Sequence, residues 1–428
     1  MAARHSRPHL YELDMVRSVT ALGVVGVHVA AFTIILIHTP IGIELQNAAI
    51  TVLHFTREIF IAITGFVMVY IYGGKPFPVR RFWRKRGLGV FLPYVLWSLF
   101  YDWYSVPHTS ITFFAGRSIA DILTGSASFQ LYYILLTLEF YLVLPWFLRF
   151  IHWSRERPWQ VLGASFALQV VILTLDYHFI QSGPFSQTPF GQYLNTYQGR
   201  YLPLYQFYMV IGGMGALYID QLRAFVRTHG RLVLGALALG LALMWGMLVL
   251  QVNVLGQSMA YAVSVFQPAM AVYAVGMSLF LYSASYRWAT RRAPAAPRAY
   301  GFWLLLSDVS FGIYLVHAYF LNITMQSIVP LLPAVIPEPL RVALVWVIVA
   351  GESVALCAAL LYVPVLSRLV GRPSRTDPSA LAGQIANAWR VLRTGATWRM
   401  EPVQSKHQDD DTPPVEPASP TQVGERSW

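Results

Sequence analysis

Residues 10–38 read LYELDMVRSVTALGVVGVHVAAFTIILIH, and this stretch decides the fold of the chain. From Val19 to Ile37 it is apolar and long enough to cross a bilayer as a helix, which takes about 20 residues. Arg17 lies near the start of that helix and His28 in its middle. Their spacing is almost three helical turns, so both side chains are predicted on one face, about 16 Å apart along the axis.

Ionisable side chains inside an apolar span are costly, so they usually face the interior of a helix bundle and serve a function. Asp14 lies three residues before Arg17 on the same face and is expected to hold its guanidinium. The alternative is structural: an Arg17 that reaches the lipid headgroups and a His28 that hydrogen-bonds a neighbouring helix.

The composition of the whole chain is that of a polytopic membrane protein. Hydrophobic residues make up 56% and charged residues only 12%, which excludes an ordinary soluble domain. The net charge of +11 would suit a nucleic-acid partner, but the basic residues lie in short segments between apolar runs, so none is expected. The single cysteine, Cys357, excludes an intrachain disulfide. No metal and no bound cofactor are expected.

Apolar runs long enough to span a bilayer predict an all-α integral membrane protein with about ten transmembrane helices. The runs cover residues 13–37, 50–72, 87–104, 129–149, 159–180, 202–219, 232–251, 258–284, 302–328 and 340–367. Eighteen Lys or Arg residues lie in alternate connecting segments, and only Arg117, Arg200 and Arg341 lie in the others. By the positive-inside rule both termini are cytoplasmic, and the protein is expected in a bacterial plasma membrane.

Three regions are predicted along the chain. Residues 1–370 form the ten-helix transmembrane domain, residues 371–400 a cytoplasmic amphipathic segment, and residues 401–428 a disordered, Pro-rich and acidic tail. Two long outer segments, about 105–128 and 181–201, are rich in Ser, Thr, Gln, Gly and aromatic residues, a composition suited to contacting sugars.

Two further groups of charged residues flank the second and third runs. The sequence HFTREIFIAITGF, residues 54–66, places Arg57 and Glu58 near the outer end of the second helix, with partners expected in neighbouring helices or headgroups. Arg84, Lys85 and Arg86 lie at the cytoplasmic mouth of the third helix. This basic cluster suits a polyanion such as a nucleotide phosphate, or serves only to anchor the topology.

The ninth run carries SDVSFGIYLVHAYF, residues 307–320. It runs outward like the first, and His317 lies about as far along it as His28 does along its own helix, so the two are expected to line one cavity. Tyr314 shares the face of His317. Glu139 and Glu352 are predicted near the midplane, where they pair with a histidine or with Arg57, or serve as neutral hydrogen-bonding groups.

Five segments of the chain, in the family's order, resemble the motifs of the acyltransferase-3 family of polytopic membrane acyltransferases. The resemblance spans about residues 10–367 and is closest to the stand-alone branch linked to exopolysaccharide and biofilm modification. Two departures are Thr64, where the family has Ser, and Tyr132-Tyr133, where it often has Trp-Phe. The segments are LDMVRSVTALGVVGVH (13–28), ITGF (63–66), RKRGLGVFLPYVLWS (84–98), FQLYYILLTLEFYLVLPWF (129–147) and SFGIYLVH (310–317).

The resemblance implies transfer of an acyl group, expected to be acetyl, from cytoplasmic acyl-CoA to a hydroxyl of a cell-surface polysaccharide or lipid-linked glycan precursor. His28 would act as general base. Arg17 would hold the donor or stabilise developing negative charge, with Asp14 orienting it. The basic cluster of residues 84–86 would bind the CoA phosphates. The remaining candidates would bind the acceptor or support the site: Arg57, Glu58, Glu139, Tyr314, His317 and Glu352.

A glycan exporter or flippase is the alternative function, because buried charges and polar outer loops suit both classes. A transporter more often shows related halves or paired interrupted helices, and neither is evident in this sequence.

We predict that both termini face the cytoplasm, because basic residues are retained on that side of the membrane. Reporter fusions after Gly116 and Gly191 should give an extracytoplasmic signal, and a fusion after Ser374 a cytoplasmic one. An extracytoplasmic signal at Ser374, or a cytoplasmic one at either loop, would contradict the predicted orientation.

Overall fold

The computed structural model of the protein describes residues 9–106, 110–291, 297–333 and 335–376. Within these ranges the chain is helical and forms no β-strand, which confirms the predicted all-α fold. Most of the predicted amphipathic segment, residues 371–400, and all of the predicted disordered tail, residues 401–428, lie outside the described residues.

The α-helices of the described ranges are numbered in chain order. They are α1 Tyr11–Thr33, α2 Pro40–Leu53, α3 Phe55–Tyr72, α4 Val79–Arg86, α5 Leu92–Ser105, α6 Ile111–Thr124, α7 Tyr132–Trp153, α8 Pro158–Leu175, α9 Pro189–Tyr197, α10 Gln206–Leu217, α11 Ile219–Thr228, α12 Gly230–Val249, α13 Met259–Ala262, α14 Pro268–Arg291, α15 Pro297–Ile323 and α16 Glu338–Leu360.

Most of the predicted membrane spans coincide with long apolar helices. In the described part of the chain eight helices are long and apolar enough to cross a membrane, and α10 with α11, bent by 92°, would make a ninth. The predicted third span, residues 87–104, is helical but is not among them, because α5 carries the polar and aromatic sequence WSLFYDWYS. The eight are Tyr11–Leu36, Pro40–Tyr72, Tyr132–Glu156, Pro158–Ile180, Gly230–Val254, Pro268–Thr290, Gly301–Leu331 and Glu338–Leu360.

Helix α1 lies inside the bundle, in contact with α2, α3, α14, α15 and α16. Contacts with α15 follow the same order along both helices: Ser307 hydrogen-bonds Asp14 near the start, and His317 stacks on His28 further on. The two helices therefore run parallel, as predicted. We call the end of the bundle where α1 begins, next to α4, the basic end.

Glycines let several helices approach backbone to backbone, as is common where membrane helices pack. A Cβ atom at Gly212 of α10 would lie 1.9 Å from the carbonyl oxygen of Ala62 in α3, and one at Gly65 would lie 2.6 Å from that of Met209. The contact between α3 and α10 therefore requires glycine at both positions.

We predict that Gly212→Ala destabilises the protein by about 1–3 kcal/mol, the range for overpacking a filled interior, because α3 and α10 must separate to admit the methyl group. Thermal unfolding of the detergent-solubilised protein should show a lowered midpoint. Gly163→Ala in α8 is the matched control, since a Cβ there meets nothing within 4 Å. Equal midpoints for the two variants would contradict the requirement for glycine.

Candidate active site

Arg17 lies on the face of α1 that packs against α15. Its Nη2 atom is 3.5 Å from Ser310 Oγ, and its half-buried side chain lines a cavity of about 690 Å³ that begins at the basic end. No carboxylate in the described part of the chain lies within ion-pairing distance of the guanidinium. The structure therefore places Arg17 half-buried between α1 and α15, at the wall of this cavity.

Asp14 is buried but does not hold Arg17, so that prediction is wrong. Its Oδ2 atom lies 2.6 Å from His9 Nε2, and its Oδ1 accepts a hydrogen bond of 2.9 Å from Ser307. The helical spacing places Asp14 on the predicted face of α1. Its carboxylate, however, bonds the imidazole of His9 and the hydroxyl of Ser307 instead of the guanidinium of Arg17.

His28 and His317 lie together, as their matching depth predicted. Their rings are stacked, with centroids 5.3 Å apart and planes at 23°. The ring of Phe129, which follows the first outer segment, lies 4.5 Å from His28 and 6.1 Å from His317. The histidine pair therefore sits where the bundle interior meets the outer segments.

The hydrogen bonds of His317 define its tautomer. Its Nδ1 atom lies 2.8 Å from the carbonyl oxygen of Tyr314, which can only accept, so Nδ1 carries the proton. Nε2 is fully buried and has no partner within the described residues. His317 thus presents an unused proton acceptor beside the half-buried His28.

The cavity that contains Arg17 is lined by cations at the basic end and by aromatic and hydroxyl groups deeper in the bundle. Its volume, about 690 Å³, falls in the range typical of small-molecule sites. No carboxylate is among its lining residues in the described chain. The charged and polar members of the lining are Arg17, Thr64, Lys85, Arg86, Tyr133, Thr137, Tyr141, Ser310, Tyr314, Arg368 and Arg372.

Two of the three residues of the predicted basic cluster reach this cavity. The guanidinium of Arg86 lies over the rings of Phe82 and Tyr141, and its buried Nε has no hydrogen-bond partner in the described chain. Desolvation, then the nearby charges of Arg86, Arg372 and Arg81, lower the pKa of Lys85 below its ordinary value. Arg84 is exposed and does not line the cavity.

Tyr314 connects the cavity to the histidine pair. Its ring lines the cavity wall, lies 5.9 Å from the ring of His317 and lies 5.9 Å from that of Tyr133. Its hydroxyl donates to the carbonyl of Gln130, whereas the buried hydroxyl of Tyr133 has no partner in the described residues. A polar path therefore leads from the basic end towards His317.

Arg57 and Glu58 form an ion pair with each other, which was not predicted from the sequence, and Arg57 also contacts aromatic rings from other segments of the chain. Arg57 Nη2 lies 2.7 Å from Glu58 Oε1, and the guanidinium lies 4.3 Å from the ring centroid of Phe266. The helical segment that contains them extends from Pro40 to Tyr72. The cost of burying both charges is offset within the pair.

The two other predicted carboxylates lie apart from the histidines. Glu352 accepts a hydrogen bond of 3.3 Å from Thr324. Glu139 is half-buried on α7 and shows no hydrogen-bond or ion-pair partner in the described part of the chain. Neither lines the cavity, so the structure does not bring them to the site.

Sequence reasoning missed Arg368 and Arg372, which follow the last span and line the cavity. They fell outside the motifs, and nothing in their local sequence distinguishes them from topology-setting arginines. A larger cavity of about 840 Å³ lies between α11, α12 and α14 and contains none of the predicted site residues. No group of three or more His, Cys, Asp or Glu among the described residues could hold a metal ion.

Comparison with known proteins identifies a family. The sequence model of a family described as an acyltransferase domain matches residues 10–363. No curated protein and no solved structure matches the chain.

We predict that Glu58→Gln lowers the free energy of unfolding by roughly 3 kcal/mol, because it leaves Arg57 buried without a counter-charge. Thermal or denaturant unfolding of the purified protein would measure the loss. Glu44→Gln, an exposed carboxylate on α2, is the control and should unfold like the wild type. A Glu58→Gln protein as stable as the wild type would show that the pair does not stabilise the bundle.

Proposed function

The chain belongs to the acyltransferase-3 family and is a membrane acyltransferase, and from that premise we propose which groups it transfers. The acyl group, expected to be acetyl, moves from acyl-CoA to a hydroxyl of a cell-surface polysaccharide or lipid-linked glycan precursor. The observation that supports this most is the cation-lined cavity, which leads from the basic end to Tyr314 beside the stacked histidines.

The donor is argued from the charges of the cavity. Arg17 and Arg86 are partly buried without carboxylate partners among the described residues, which is unfavourable, and a bound polyanion would offset that cost. Coenzyme A carries a diphosphate and a 3′-phosphate, and guanidinium groups bind such oxygens through paired hydrogen bonds. Arg17, Lys85 and Arg86 are well placed for this contact. The acyl-bearing arm of the donor would then extend along the wall formed by Tyr133 and Tyr314.

His28 is proposed as the general base of the reaction. The acceptor oxygen attacks the thioester carbonyl carbon, a C–O bond forms, and the C–S bond breaks. His28 takes the proton of the hydroxyl and returns it to the departing CoA sulfur, so the products are an O-acyl ester and free CoA. His28 is the more accessible of the two histidines, whereas His317 is fully buried and, stacked against it, would position its ring.

The distance along α1 favours donor binding as the role of Arg17. Eleven residues of helix separate it from His28 by about 16 Å along the axis, which is too far for both to contact one reacting carbon. Stabilisation of the oxyanion therefore needs another donor, and Arg17 is assigned to the phosphate or pantetheine portion of acyl-CoA.

The acceptor is proposed to approach from the end opposite the basic end. Phe129 is 40% exposed there and contacts both histidines. Arg200 of the second outer segment donates to the Thr124 carbonyl and, at 2.9 Å, to Ser126 Oγ, so the two outer segments are held together beside the histidines. Their hydroxyl, amide and aromatic groups suit a glycan.

We predict that His28→Ala lowers acyl transfer by 10²–10⁴-fold, roughly 3–5 kcal/mol in barrier height, because it removes the proton acceptor. Acyl content per sugar of the surface glycan is measured, together with the amount of protein in the membrane. The His317→Ala substitution should also lower acyl transfer, by at least tenfold, because it removes the ring that packs on His28. Arg17→Lys keeps the charge but loses the planar fork, so it should weaken transfer at low donor concentration.

His38→Ala is the matched control, because His38 ends the same apolar run but is exposed. It should leave acylation unchanged. If the His28 and Arg17 variants instead reduced the amount of glycan exported at constant acylation per sugar, export would be the function and the proposed transfer reaction would be wrong.

A further inference from the structure

The segment that follows the last span, Leu366–Thr376, folds back across the basic end, and we call it the C-terminal strap. It begins with the 3₁₀ turn Leu366–Val370 and then reverses at Gly371, whose φ of 70° favours glycine. The family match ends at residue 363, so the strap lies just beyond the shared sequence.

The strap is fixed by backbone and apolar contacts. Val370 is fully buried against Gly312 of α15, and the indole nitrogen of Trp97 donates to the Leu369 carbonyl at 3.0 Å. A Cβ at Gly371 would lie 2.5 Å from the Gly89 carbonyl oxygen, so the strap touches the backbone just before α5. These contacts with α15 and α5 hold the strap in a defined position.

Asp308 of α15 clamps the far end of the strap. Its carboxylate lies 3.2 Å from Arg372 Nη2 and 2.6 Å from Arg375 Nη2, and its carbonyl accepts from Arg372 Nε at 3.1 Å. One carboxylate thus holds two guanidinium groups, so the clamp keeps a net positive charge.

The strap adds its own cations to the cavity. Arg368 and Arg372 line it together with Arg17, Lys85 and Arg86. Like charges gathered in one cavity repel one another, and Asp308 offsets only part of this repulsion, so an anionic ligand would be attracted to the site. The packing of the strap does not explain the charge of Arg368, because its side chain is exposed and makes no ion pair among the described residues.

We infer that the C-terminal strap forms a wall of the donor site, and that Arg368 and Arg372 bind phosphate groups of the acyl-CoA, with Asp308 positioning Arg372. The inference rests on the proposed function, because it takes acyl-CoA as the donor. The donor site would then combine residues inside the family match, which ends at residue 363, with residues of the strap that follows it.

The test measures binding of CoA to the full-length protein in detergent or nanodiscs by calorimetry. Arg368→Gln and Arg372→Gln should each weaken binding by about tenfold, the range for one charge-assisted phosphate contact. Arg80→Gln removes an exposed arginine of α4 that does not line the cavity, and it should bind CoA like the wild type. Unfolding midpoints show whether each variant is folded. Because Arg368 is exposed, its substitution should disturb folding less than that of Arg372.

The Asp308→Asn variant distinguishes a positioning role of Asp308 from a purely electrostatic one, because the two roles predict opposite changes in CoA affinity. Removing a negative charge beside the cavity would strengthen binding of an anion if charge alone mattered. If the clamp positions Arg372, CoA binding should instead weaken severalfold, and that is the expected result. Tighter binding in Asp308→Asn would overturn the positioning role.

The outcomes also distinguish this inference from the proposed function. If the wild type bound no CoA, the proposed donor would be wrong. If the wild type bound CoA and the Arg368→Gln and Arg372→Gln proteins bound it equally well, the donor would stand and the strap would be excluded from its site.

Discussion

Burial of cationic side chains without carboxylate partners is the constraint on which the rest of this structure depends. An isolated charge in an apolar interior is unfavourable, so a bundle normally pairs it or exposes it. Around Arg17 and Arg86 the bundle does neither: it surrounds them with a cavity, a serine hydroxyl and aromatic rings. A bound anion would offset the cost of burying these charges, and this connects the fold to the charged donor that we propose.

The pair formed by Arg57 and Glu58 shows the contrasting solution in the same bundle. Its charges compensate each other within one turn of helix, and aromatic rings cover the guanidinium. A charge whose partner lies beside it supports packing, whereas a charge without a partner, lining a cavity, is available for a ligand. The same residue type thus serves two purposes, and the presence of a compensating carboxylate distinguishes them.

The path from the cavity to the histidines places different types of side chain in successive zones of the bundle. Cationic groups lie at the basic end, hydroxyl-bearing aromatic residues line the middle, and the stacked imidazoles meet the outer segments. A long donor such as acyl-CoA would bridge these zones, with its phosphates at one end and its thioester at the other. Under the proposed function, Arg17 would therefore act in donor binding and His28 in proton transfer.

The sequence by itself determined the features that depend on helix geometry. The all-α fold, most of the spans, the shared face of Arg17 and His28, and the matching depth of His317 all follow from fixed rise and rotation per residue. The tertiary structure alone decided which groups pair. Asp14 bonds Ser307 rather than Arg17, and Glu352 bonds Thr324. Arg368 and Arg372 join the cavity because the strap packs on α15 and beside α5, a contact between segments far apart in the chain that no local pattern encodes.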